Sequence, residues 1–450
     1  MEDAELTLKP DDYSLLTDLY QLTMAACYVG EHLDQRRASF EVTVRRLPEK
    51  FGYLIAMGLA QSLDYLEKFR FSSAQIEILK ETGIFDHAPT QFWNLLLQES
   101  QFSGDVWAVP EGTALFANEP LLRIEAPLWQ AQLVETYLLN TLNYQTLVAT
   151  RSARMRDVAG ADATLLEFGT RRAFSPQASL WAARAALAAG LDATSNVLAA
   201  VKLGRKPSGT MAHALVMALS ATEGTEAEAF TAFHRYFPGA PLLIDTYDTI
   251  AAAHNLSEQI KAGLQLSGVR IDSGDLVSLS RQVRELLPGV AIIASGDLDE
   301  WKIAEFKAAG ACINGYGIGT QLVTGSPVNG VYKLVEIDDI SVMKESPGKL
   351  TYPGRKQIFR RVENGIVQRD RLGLIHETPN GEQSLMQLVF KQGQRMQESE
   401  NLSTIADRTA ASVASLPPSV RNIDQPQSVP LDLSDDLTTL IKKTRRRSTD

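Results

Sequence analysis

From about residue 136 the chain repeats one pattern. A short apolar run ends in a polar turn, and a helical pattern follows. The runs fall at 164–168, 197–201, 242–244, 268–271, 290–294 and 312–316. Asp245, Asp272 and Asp297 close successive runs at spacings of 27 and 25 residues, about one strand-plus-helix unit each. Strands alternating with helices pair in parallel and need helices over their faces. Such a series closes as a barrel or stays open as a doubly wound sheet. The glycine-rich dinucleotide fingerprint is absent after the first runs, which favours an irregular α/β barrel over 136–330.

Residues 1–135 read differently. Residues 14–28 and 54–69 carry apolar residues at helical spacing, while 37–45, 106–109 and 121–124 read as strands. This is a smaller α+β domain, completed by about 331–397, where 331–337 and 357–362 read as strands. From 398 to 450 the chain turns polar and carries Pro417, Pro418 and Pro426, so a poorly ordered tail with a solvated basic end is expected.

Composition bounds the function. The 450 residues are 44% hydrophobic and carry a net charge of -10, so a large core is available and nucleic-acid binding is disfavoured. Two cysteines, Cys27 and Cys312, form no disulfide framework. The six histidines show no metal-ligand spacing. The acidic start, Met1 to Glu5, has no apolar signal region, and Arg184 and Asp192 interrupt the alanine-rich stretch at 178–200. A cytoplasmic protein with no membrane partner is expected.

The polar residues collect where strands of such a fold would end. Glu167-Phe168-Gly169-Thr170-Arg171-Arg172 combines a flat ring, a flexible turn and two cations. Arg171 and Arg270 can clamp phosphate oxygens. Ser295-Gly296-Asp297 and Gly317-Ile318-Gly319-Thr320 can turn backbone N–H groups onto an anion. Asp272 can accept from sugar hydroxyls or hold Mg²⁺ through water. A single aspartate after a strand more often caps the next helix, but four such turns together point to a phosphosugar site. His213 is expected in the first turn of a helix, where the N-terminus disfavours imidazolium and leaves a neutral nucleophile. Tyr20 alone reads as a core aromatic of an amphipathic helix.

These motifs occur in one order: Thr17-Asp18-Leu19-Tyr20-Gln21-Leu22-Thr23-Met24, then 167–172, Thr194-Ser195-Asn196, Gly209-Thr210-Met211-Ala212-His213, then 270–275, 295–297 and 317–320. Together they resemble the nicotinate phosphoribosyltransferase family over roughly residues 10–395. The resemblance implies an irregular α/β barrel with a smaller domain. It implies transfer of a phosphoribosyl group from phosphoribosyl pyrophosphate to nicotinate, the first step of NAD salvage from nicotinate. ATP hydrolysis coupled through a phosphohistidine, and a requirement for Mg²⁺, come with it. So does a homodimer with shared active sites.

On that resemblance Tyr20 reaches the neighbouring subunit's site and sandwiches the pyridine ring with Phe168. Arg171 binds the nicotinate carboxylate or a phosphate, Thr210 holds the nicotinate end, and His213 takes the phosphoryl group. Arg270 and Asp272 bind phosphate and ribose. Ser295, Gly296, Asp297, Gly317, Gly319 and Thr320 hold ribose and 5′-phosphate. Asn196 stands where a related nicotinamide enzyme carries an aspartate that accepts from the amide, so a neutral side chain there spares nicotinate a repulsion. The rival classes are a nicotinamide or quinolinate phosphoribosyltransferase and a non-catalytic regulatory relative. The segment around His213 argues against the quinolinate class, and the presence of His213, Arg171 and Asp272 argues against the regulatory one.

Overall fold

A computed structural model describes residues 6–346 and 349–447. The acidic start lies outside the described residues. The chain divides into two compact units, residues 1–147 with 327–450 and residues 148–326. The first division falls inside the helix Glu135–Ala159. The sequence reading puts its boundaries at 135 and 331.

The first unit is built on a seven-stranded sheet. Its order is Ile340–Ser341, Gly330–Ile337, Arg37–Val44, Pro120–Pro127, Asp105–Ala108, Gln387–Lys391 and Gln394–Arg395, and its neighbouring strands are antiparallel. The β-branched and aromatic alternation of Phe40, Val42 and Val44 buries all three. The expected strand at 357–362 appears as Lys356–Glu363, but in a separate four-stranded sheet with Gln383–Ser384, Ile366–Leu374 and Leu431–Leu433. There Arg360 pairs with the buried Asp370 at 2.6 Å.

The segment beyond 398 corrects the expectation of a poorly ordered tail. It folds into helices Leu402–Ala414, Pro418–Arg421 and Asp435–Arg447, with strand Leu431–Leu433 parallel to Ile366–Leu374. Asn401 caps the first of these by accepting from the Thr404 N–H at 2.9 Å. Ile405, Thr409 and Val413, four residues apart, bury one face, and Leu416, Val420, Leu437 and Ile441 join the core.

The second unit carries the parallel sheet. Six strands follow the order Ala193–Thr194, Thr164–Glu167, Gly315–Ile318, Ala291–Ser295, Gly268–Ile271 and Leu242–Leu243, all parallel. The two end strands are two residues long and are not paired with each other. The run at 197–201 is a helix, Val197–Lys202, not a strand: Asn196 accepts from the Ala199 N–H at 3.0 Å and starts it. The strand at that place is Ala193–Thr194. Helix Pro176–Ala188 accounts for most of the alanine-rich stretch. No helix among the described residues is long and apolar enough to cross a membrane.

Candidate active site

Because the six strands run in parallel, their carboxyl ends share one edge, and the turns that leave them meet there. Among these turns lies a cleft of about 710 Å³. It is lined by Phe168, Thr170, Arg171 and Arg172 from the first turn, Ser195 from the second, and 209–212 from a connecting segment. Arg270 and Asp272, Ser295–Asp297, and Gly317, Gly319 and Thr320 complete it.

The first turn is pinned from beneath by Glu167. This fully buried carboxylate accepts from the Gly169 N–H and from the Thr194 hydroxyl. Burial raises its proton affinity, and those two donors oppose the rise without cancelling it. The Thr194 hydroxyl in turn accepts from the Asn196 N–H at 2.9 Å, so two strand ends are clipped together. The turn then presents the half-buried Phe168 ring, with Arg171 and Arg172 exposed beside it.

Two glycines are required by contact. A Cβ at Gly317 would stand 2.5 Å from the Phe168 ring, so only glycine lets that ring lie on the neighbouring strand. Gly296 has φ near +101°, and a Cβ there would meet the Asp272 carbonyl oxygen at 2.3 Å. Asp297 follows at φ 50°, so consecutive left-handed residues turn the backbone sharply after Ser295.

The aspartates divide by role. Asp248, Asp275 and Asp299 cap the helices that follow them through their side chains. Asp245, Asp272 and Asp297 do not. Asp272 accepts from the Ser295 hydroxyl, and its backbone N–H donates to Asp245 Oδ2 at 2.8 Å. Arg270 donates to the Thr210 hydroxyl at 2.7 Å, and its guanidinium lies 6.0 Å from the Phe168 ring centre. Burial lowers the Arg270 proton affinity, Asp272 and Asp245 oppose that, and Arg171 adds to it. The cleft thus holds three guanidiniums and two carboxylates along its wall, which suits a polyanion.

Three candidates lie elsewhere. His213 opens helix His213–Glu223, directly after the lining residue Ala212. Its Nδ1 is 3.1 Å from the Thr246 hydroxyl and its Nε2 3.9 Å from the buried Asp245 Oδ1. Asn196 is 5% exposed and does not line the cleft; besides capping a helix it donates from Nδ2 to Ser179 at 3.2 Å. The neutral side chain at that strand end which faces the cleft is Ser195. Tyr20 belongs to the first unit, on helix Leu19–Gly30, and is 47% exposed. Burial and then the Glu135 and Asp18 carboxylates push its hydroxyl up to about 12, so it stays protonated.

The sequence reading singled out the segments that hold Ser195, Glu167 and Asp245 but gave these three residues no role of their own. The pairing of acids at Asp245/Asp248, Asp272/Asp275 and Asp297/Asp299 was the available signal: one of each pair is free of capping.

A parallel sheet whose strand ends gather an aromatic ring, guanidiniums and glycine turns defines an enzyme that grips a phosphorylated sugar beside a flat base. Three models of one family cover the chain: the nicotinate phosphoribosyltransferase N-terminal domain at residues 15–143, the family's central domain at 163–329 and its C-terminal domain at 355–441. A nicotinate phosphoribosyltransferase of Mycobacterium tuberculosis is 38% identical over 97% of this chain and 95% of its own. One of Bacillus subtilis is 36% identical over 96% and 95%. The crystal structure of human nicotinic acid phosphoribosyltransferase superposes with a TM-score of 0.83 at 29% identity, over 95% of this chain and 99% of that one. The chain belongs to the nicotinate phosphoribosyltransferase family. It is a phosphoribosyltransferase of NAD salvage, and phosphoribosyl pyrophosphate is the family's co-substrate.

Proposed function

We propose that the cleft joins nicotinate to phosphoribosyl pyrophosphate, giving nicotinate mononucleotide and pyrophosphate, and that His213 couples ATP hydrolysis to this in the cytoplasm. The observation that carries the reading is the convergence of Phe168, Arg171, Arg270, Asp272 and the two glycine turns on one cleft. Nicotinate stacks on Phe168, with its carboxylate toward Arg171 and Thr210. Asp272 accepts from the ribose hydroxyls, with Asp297 beside it. The Ser295–Asp297 turn and Gly317, Gly319 and Thr320 surround the 5′-phosphate.

The chemistry needs alignment more than acid–base work. The pyridine nitrogen attacks C1 of the ribose as the C1–O bond to pyrophosphate breaks, and that oxygen keeps the bonding pair. The arginines hold the departing charge. Among the described residues there is no cluster of three His, Cys, Asp or Glu that could hold a metal ion. Asp272 and Asp297 would hold Mg²⁺ through water, and the ion would offset diphosphate charge there. Asp245 faces His213 Nε2 and favours the proton there. With the proton on Nε2, Nδ1 accepts from the Thr246 hydroxyl at rest; once that hydrogen bond is released its lone pair attacks the γ-phosphorus of ATP, and the N–P bond forms as ADP leaves.

A dimer completes the reading. Leu16, Leu19 and Tyr20 are each 44–50% exposed. Tyr20 of one copy then supplies the second stacking face for its partner's Phe168.

The test is phosphoribosyl transfer with nicotinate and with nicotinamide, with and without ATP, in wild type and His213→Ala. Nicotinate should be strongly preferred, and ATP should raise turnover only in the wild type. Equal rates for the two bases, or full ATP coupling without His213, overturn the reading.

A further inference from the structure

Two of the strand-end aspartates are each held by a serine from the next strand end, and the second of them faces His213. The Ser295 hydroxyl donates to Asp272. One strand further along, the Ser273 hydroxyl donates to Asp245 Oδ2 at 2.6 Å, and the Asp272 N–H donates to the same oxygen at 2.8 Å. The Asp245 side chain is 2% exposed, and its Oδ1 has no hydrogen-bond partner among the described residues. That free oxygen stands 3.9 Å from His213 Nε2, a gap still too wide for a hydrogen bond.

A serine in a strand-to-helix turn commonly caps the helix that follows. Ser273 does not. Helix Leu276–Leu286 is capped by Asp275, which accepts from the Val277 and Ser278 N–H groups at 3.2 Å. The Ser273 hydroxyl is spent on Asp245 instead. A hydroxyl this close to a carboxylate oxygen makes one of the stronger, charge-assisted hydrogen bonds. Two donors on one oxygen fix the rotation of the carboxylate and leave the other oxygen turned to His213.

We infer that Ser273 is a positioning residue for the phosphoryl step: it holds Asp245 by Oδ2 so that Oδ1 meets His213 Nε2. The inference rests on the phosphohistidine reading of His213 and adds a residue to it. In that step the Nδ1 lone pair forms the N–P bond, the P–O bond to ADP breaks, and the ADP oxygen keeps the bonding pair. The ring keeps its Nε2 proton and becomes a cation, and the Asp245 carboxylate lies opposite that charge. Ser273 acts through Asp245 alone. Because it directly follows Asp272, one turn then serves both the ribose and the histidine.

The experiment uses the full chain as wild type, Ser273→Ala and Ser273→Thr. It measures the initial rate of phosphate incorporation at His213 from γ-labelled ATP, and nicotinate phosphoribosyl transfer without ATP. Ser273 is exposed, so neither substitution disturbs the core. Ser273→Ala should label about tenfold more slowly, the effect of losing one hydrogen bond to a charged group. Ser273→Thr keeps the hydroxyl and should label within about threefold of wild type. Without ATP, kcat/KM should stay within about twofold of wild type in both variants, because the phosphoryl step is then not used. Wild-type labelling in Ser273→Ala overturns the inference. So does Ser273→Thr slowed as much as Ser273→Ala, or ATP-free transfer that falls in step with labelling, since either marks a general disturbance of the turn. A wild-type chain that transfers nicotinate but takes no label overturns the histidine relay itself, and the inference with it.

Discussion

Base selectivity provides the sharpest test of the site, because two adjacent residues make opposite predictions. Ser195 lines the cleft and donates to the Glu167 carbonyl oxygen at 3.2 Å. Asn196 points into the protein, capping Val197–Lys202 and donating to Ser179. With nicotinate bound as proposed, its carboxylate toward Arg171 and Thr210, Ser195→Asp adds a second carboxylate to the same cleft wall, taken here as about 5 Å away. At an effective dielectric near 20 that repulsion is about 3 kcal/mol, or roughly 100-fold in kcat/KM. Asn196→Asp keeps an oxygen for the cap but faces Ser179 with an acceptor instead of a donor. Ser179 already donates to the Pro176 carbonyl oxygen at 2.7 Å, so the new oxygen goes unsatisfied. That costs about 1–3 kcal/mol of stability and leaves base choice nearly unchanged. Steady-state kinetics with nicotinate and nicotinamide, alongside denaturant melts, separate the two effects. If Ser195→Asp stays within about threefold of wild type on nicotinate while Asn196→Asp loses the larger factor, the assignment of the cleft-facing residue is wrong.

Other perturbations test other parts. Gly317→Ala drives a methyl into the Phe168 ring, and should raise KM for nicotinate about tenfold while the melting point moves little, as titration of each variant with nicotinate would show. Mixing inactive Tyr20→Ala and Arg171→Ala proteins should restore activity through hybrid dimers; mixtures as dead as their parents refute the shared site. Ending the chain at residue 400 removes seven buried apolar side chains from Ile405 to Ile441. That is on the order of 10 kcal/mol, comparable with the whole stability of a domain, so insoluble protein is expected on expression. Burial, then the neighbouring Asp370, raises the Glu119 carboxyl well above its ordinary value of 4.5. The folded state therefore binds this proton more tightly, and that stabilisation is complete below pH 4.5 and erodes as pH rises toward the folded value. Glu119→Gln should lose less stability than wild type between about pH 5 and 8 in denaturant titrations.

The strand-end aspartates explain how much of the site could be read from the sequence. Each turn offers two acids, and composition alone cannot say which one caps the helix. The structure assigns the cap to the later acid each time: Asp248, Asp275 and Asp299 bind helix N–H groups two or three positions ahead. That reach is what a cap requires, so the later acid is fixed by helix geometry and the earlier one, still at the strand end, is left for other use. The same rule would have identified Asn196. It precedes an apolar run and caps it, which turns 197–201 from a strand into a helix and hands the cleft-facing place to Ser195. The tail failed for a related reason. Its polar composition and prolines hid Asn401 as a cap and the four-residue spacing of Ile405, Thr409 and Val413. Side-chain pairing at a distance was beyond reach in every case. Nothing local links Asp245 to Asp272, or Glu167 to Thr194, because those contacts exist only once parallel strands bring their ends together.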